Sequence, residues 1–152
     1  MTAPREVFMA AAAASLQAMW PERYVLRGLQ DPAGPAVGDK RLLQGVFCLI
    51  AGGTSEWAEY VGREAEYGKL EFAIVVWCKV LETTAPVGME MDNAALRLEQ
   101  FEAVLEHELL LWCQSIKTGP LLDAVYPQRV TYSGGIDCPV GWLVMTLQGG
   151  YV

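Results

Sequence analysis

Residues 69–82 limit the possible folds more than any other stretch of the chain. Leu70, Phe72, Ile74, Val76, Cys78 and Val80 fall on one face at a period of two, which is the spacing of a strand and not of a helix. The other face carries Glu71, Ala73, Val75, Trp77 and Lys79, so the middle of the segment is apolar on both faces and its ends are polar on one. A strand of that kind belongs inside a sheet whose centre is covered by helices. Residues 92–116 supply a cover: Leu98, Phe101, Leu105, Leu109, Trp112 and Ile116 recur at steps of three and four, with Glu99, Glu102 and Glu106 as an opposite stripe. Asp92 caps this helix, Lys117 sits in its last turn, and Gly119-Pro120 stops it.

The remaining segments are shorter. Residues 7–20 pair an apolar start with the alanine run 10–14, which imitates the core of a signal peptide with an Ala-x-Ala site. Glu6 cancels Arg5 in what would be the positive leader, while Thr2 and Pro4 suit the cap and first turn of a helix, so an N-terminal helix is the reading. Pro21 stops it, and residues 24–26 are extended. Residues 30–39, with two prolines, two glycines and two aspartates, form a loop. Residues 42–51 hold the apolar run Val46-Phe47-Cys48-Leu49-Ile50, a central strand ended by Gly52-Gly53. Residues 55–68 mix four glutamates with aromatics and read as an edge strand or hairpin arm, half of it exposed. Residues 121–126 make a short helical turn, and residues 129–132 and 140–148 are two closing strands around the turn at 133–137.

Strands joined by short turns, with two helices free to cover one face, define an α+β fold: a mixed, mainly antiparallel sheet with a short N-terminal helix and one long helix packed on one face. The length of 152 residues favours a single domain over residues 1–152. Hydrophobic residues make up 53% and charged ones 19%, far from the composition of disordered chains. No run of about 18 apolar residues is present, so no membrane span is expected. The net charge of −7, without a basic cluster, argues against a nucleic-acid binder, whose affinity comes from gathered Lys and Arg.

Catalytic and cofactor patterns fail one by one. Residues 34–41 lack both the spacing and the hydroxyl residue of a phosphate loop. The single histidine, His107, has Leu111 where a zinc protease needs its second histidine, and with carboxylates on either side it reads as a solvated or ion-paired surface residue. Gly52-Gly53-Thr54-Ser55 is not a nucleophile elbow. Cys48, Cys78, Cys113 and Cys138 lie in apolar text, away from the electropositive setting of a reactive thiolate, and read as reduced core cysteines. No enzyme, cofactor or metal is expected. The five Trp and six Tyr have two readings. Trp77 and Trp112 lie in core patterns. Trp57, Tyr60 and Tyr67 in the acidic arm, and Tyr151 after Gly149-Gly150, are either ordinary packing or the anchors of a protein interface.

The order of a short N-terminal helix, a Pro/Gly loop, an apolar strand, an acidic arm leading into Gly68-Lys-Leu-Glu-Phe-Ala-Ile-Val-Val-Trp77, a long amphipathic helix and a last strand from Trp142 to Tyr151 resembles the tail terminator proteins of long-tailed bacteriophages, also called tail completion or minor tail proteins. The resemblance covers nearly the whole chain and is one of architecture, since that family has no catalytic signature. It implies a homo-oligomeric ring, usually of six subunits, which binds the last ring of tail tube protein, halts tube growth and offers a docking surface to the head-tail connector protein. It also implies a place in the tail-neck region of the virion, with assembly in the host cytoplasm, and DNA passing through without specific binding. Six copies would carry roughly −42, a wall along which a polyanion slides without sticking. Glu56, Glu59, Glu64 and Glu66, with Trp57, Tyr60 and Tyr67, are the candidate subunit or lumen contacts, against a plain solvated hairpin face, and Tyr151 is a candidate C-terminal contact. A head-completion or connector protein of the same virion, and a soluble α+β ligand-binding protein, are the alternatives.

Overall fold

The computed structural model describes residues 4–29, 38–58, 67–81, 94–115, 125–134 and 139–151. In chain order these form α1 (Pro4–Met19), β1 (Tyr24–Arg27), α2 (Gly38–Leu42), β2 (Val46–Ala58), β3 (Tyr67–Lys79), α3 (Ala94–Ser115), β4 (Tyr126–Tyr132) and β5 (Val140–Tyr151). The fold is α+β, with one five-stranded sheet in the order β1-β2-β3-β5-β4. β1 and β2 run parallel, Tyr24 opposite Val46, and every other neighbouring pair is antiparallel. A parallel pair needs a crossover, and α2 lies within it.

α1 and α3 cover one face of the sheet. Leu70, Phe72, Ile74, Val76 and Cys78 of β3 all point into that core, as the period-two pattern requires, and meet Phe8, Met9, Ala12 and Leu16 of α1 and Leu98, Leu105, Leu109 and Trp112 of α3. The Phe8 and Phe72 rings meet edge to face at 5.7 Å. The two long helices thus pack on one face, as expected from the sequence. The other face of β3, with Val75 and the half-buried Trp77, packs in a second, smaller cluster with Leu42 of the five-residue α2, Val46 and Cys48. Arg41 of α2 stands 3.7 Å over the Tyr24 ring there. Trp77 is therefore not in the main core, unlike Trp112, and its buried indole N–H has no acceptor.

Three boundaries also move. Gly52-Gly53 does not end β2; the ladder shifts register between Ala51 and Thr54, and the strand continues to Ala58. A side chain at Gly52 would come within 2.9 Å of the Glu71 carbonyl oxygen, so glycine is what lets the irregularity lie close against β3. Leu42 closes α2 instead of opening β2. Tyr126 starts β4 instead of ending a helical turn, with Pro127 tolerated because β4 is an edge strand. The expected caps and stops at Thr2, Asp92, Lys117 and Gly119-Pro120 lie outside the described residues, as do residues 30–37 of the expected loop 30–39; its last two residues, Gly38 and Asp39, belong to α2 instead.

Candidate functional site

Two places come into question, the end of the sheet that carries the acidic arm and a cavity beside α3. At the sheet end, β2 and β3 form the arms of one antiparallel hairpin, Ala58 opposite Tyr67, and Tyr151 of β5 lies opposite Gly68. Register therefore brings the backbone of Trp57, Tyr67 and Tyr151 to one end of three adjacent strands. Glu56 lies in β2 beside Trp57. Glu59, Tyr60, Glu64 and Glu66 lie outside the described residues.

The second place is an open cavity of about 680 Å³ between the first half of α3 and the end of β4. α3 contributes Leu96, Leu98 and Ala103 as apolar wall and the carboxylates of Glu99 and Glu102; Tyr132 and Gly134 close it from the β4 side. Ser133 follows β4, fixed by its backbone N–H donating to the Trp142 carbonyl at 2.9 Å, and its hydroxyl donates to Glu102 Oε1 at 2.7 Å. One turn further along α3, Glu106 accepts the Tyr132 hydroxyl at 2.6 Å. Gly141 of β5 makes room for this arrangement, because a Cβ there would lie 2.6 Å from Glu102 Oε1 and 2.7 Å from Leu98.

Glu102 is only 3% exposed, which overturns its assignment to a solvated stripe. Its burial raises its carboxyl pKa, the Ser133 bond works the other way, and the neighbouring Glu99 adds to the rise. Cys78 beneath it is pushed up to about 12, first by burial and then by the Glu102 charge, and Tyr132 to about 12, chiefly because its hydrogen bond to Glu106 holds the phenol proton. Cys113 is pushed up to about 11 by burial. These buried thiols are protonated at neutral pH, the opposite of a nucleophile. His107 is exposed on α3, as read from the sequence.

Glu102 had a signal that residue type concealed. Leu98, Glu102, Leu105, Leu109 and Trp112 follow steps of four, three, four and three, so Glu102 occupies a seam position in the buried stripe, while Phe101 is only half-buried. Among the described residues no group of three or more His, Cys, Asp or Glu could hold a metal ion, and no helix is long and apolar enough to cross a membrane. No family model matches the chain, and no curated protein matches it.

Proposed function

We propose that this protein is a structural component of a phage tail, a ring-forming tail terminator that caps the tube, stops its growth and receives the head connector. The observation that carries the reading is the shared sheet end, where β2, β3 and β5 bring the backbone of Trp57, Tyr67 and Tyr151 to one place. Aromatic residues whose backbone positions share one end of a sheet suit contact between subunits, and the −7 charge suits a ring that lets DNA pass. A connector of the same virion would use the same surface on a different partner, because fold does not fix function.

Native mass spectrometry over a concentration series, with negative-stain images and added tail tube protein, is the test. A closed ring of about six copies is expected. A strict monomer even with tube ends present would overturn the reading. Changing Glu56, Glu59, Glu64 and Glu66 together to Lys should slow DNA ejection; normal tail length and unimpaired ejection would remove the conduit role. The cavity beside α3 favours a second reading, a ligand-binding protein, because its volume of about 680 Å³ and its apolar walls with a few converging polar groups are those of a small-molecule site.

A further inference from the structure

Glu102 is a buried carboxylate with no counter-ion among the described residues. Its hydrogen bond comes from a neutral hydroxyl, and its charged neighbours are of like sign: Glu99 on one side along α3, and Glu106 on the other. The ion pairs among the described residues, Arg23 with Glu108 and Arg27 with Glu6, are made by other carboxylates. Burying a carboxylate in this way is costly unless a cation or several donors meet it. The same carboxylate lines a cavity, from which a cation can approach it.

We propose that the cavity between α3 and the end of β4 binds an organic cation, an alkylammonium or guanidinium group on a short apolar stem, with its charge at Glu102 and its stem along Leu96, Leu98 and the Tyr132 ring. The walls select this class over a metal ion. A hard dication wants six or more oxygen ligands and a borderline one such as zinc a set closed by His and Cys, whereas the described lining offers two carboxylates among aliphatic side chains. An exposed aromatic ring beside two carboxylates is instead a setting in which a cation gains from charge and from the ring face. The positive end of α3 opposes a cation, but it amounts to about half a charge and fades within the first turn. Glu102 lies beyond that turn and carries up to a full charge.

The inference holds with or without the ring. In a ring or tail, the cation is a Lys or Arg side chain of a neighbouring chain; in a ligand-binding protein, it is a free amine. The test titrates the full chain with butylguanidinium chloride at neutral pH, followed by amide chemical shifts in α3 and β4. Saturable binding is expected, weakened about tenfold or more by Glu102→Gln, which removes the charge and keeps the shape. Glu22→Gln, the same change of net charge on an exposed residue, should leave the affinity unchanged. Ala103→Phe narrows the cavity from an exposed helical position without touching the carboxylate, and gives the same readout should Glu102→Gln fold poorly. Absence of saturable binding, equal binding of neutral butylurea, or equal weakening by Glu22→Gln would overturn the proposal. N-acetylarginine methylamide separates the two sources. If it binds as well as butylguanidinium, the cavity accepts a side chain carried on a backbone; if only the free cation binds, it is a small-molecule site.

Discussion

At residue scale Glu102 decides most, because at 3% exposure its carboxyl must either hold a proton or carry a charge that no cation among the described residues meets. Its folded pKa lies above the ordinary carboxylate value, by burial first, so the folded protein binds more protons than the unfolded chain in the window between the two values. Stability from this group is therefore fully present below the unfolded value and falls as pH rises through the folded one. Glu99, Glu106, Cys78 and Tyr132 face the same region, and none supplies a positive charge to reverse the sign. Glu102→Gln resembles the protonated acid, so denaturant melts should show the variant gaining on the parent as pH rises from acid to neutral. A variant that loses ground over that range would mean that the ionised carboxylate is the favoured form. Glu6 has the opposite sign. Arg27 hydrogen-bonds both its oxygens at 2.9 and 3.0 Å and holds its pKa down, so its contribution is present above the unfolded value and lost in acid. Being exposed, it contributes little.

At the scale of elements, the join between α1, β2 and α3 depends on one side chain. Arg23, after the C-terminal end of α1, pairs with Glu108 of α3 and stands 5.2 Å and 5.5 Å from the rings of Trp20 and Phe47. Gln17 fixes the turn that presents it, donating to the carbonyls of Trp20 at 3.1 Å and Arg23 at 2.8 Å. Because Arg23 is 12% exposed, the pair is weakly screened, and Arg23→Ala should cost about 2 to 3 kcal/mol in urea denaturation. A cost below about 0.5 kcal/mol would reduce the pair to an ordinary surface contact. How well these elements could be read from sequence follows from how local their causes are. β3 shows plainly because alternation on both faces is written within thirteen residues, α3 because its apolar stripe repeats over several turns, and α1 because its alanine run and first-turn proline are helix signals in themselves. Gly52-Gly53 misleads, since whether two glycines stop a strand or bulge it depends on the Glu71 carbonyl of another strand. Glu102 misleads because a carboxylate is assumed to face water, although its spacing assigns it to the seam; Ser133 and Gly141, which make its burial possible, are 31 and 39 residues further along the chain. The cavity could not be read for the same reason.

At the scale of the whole molecule, stability should be graded across the sheet. β3 is paired with β5 from Gly68 to Lys79 and with β2 on its other side, and it lies under both long helices, so its amides can open only with the global transition. β4 has one strand neighbour, a register irregularity after Pro127 and mostly exposed side chains; β1 has four residues and one neighbour. Native-state hydrogen exchange of the dilute protein should find the slowest amides in residues 72–78 and in their β5 partners, and exchange through local opening in β1 and β4. Slow exchange in β4 equal to that of β3 would contradict the grading and show that its edge is covered. The same experiment at assembling concentration separates the two surfaces. Docking through the aromatic sheet end slows amides at 55–58, 67–69 and 150–151, where β2, β3 and β5 finish together. Filling of the cavity instead slows the first two turns of α3 and the Tyr132–Gly134 turn. A neighbour's basic side chain seated at Glu102 while the sheet ends join predicts both at once, with the α3 protection removed by Glu102→Gln and the sheet-end protection retained.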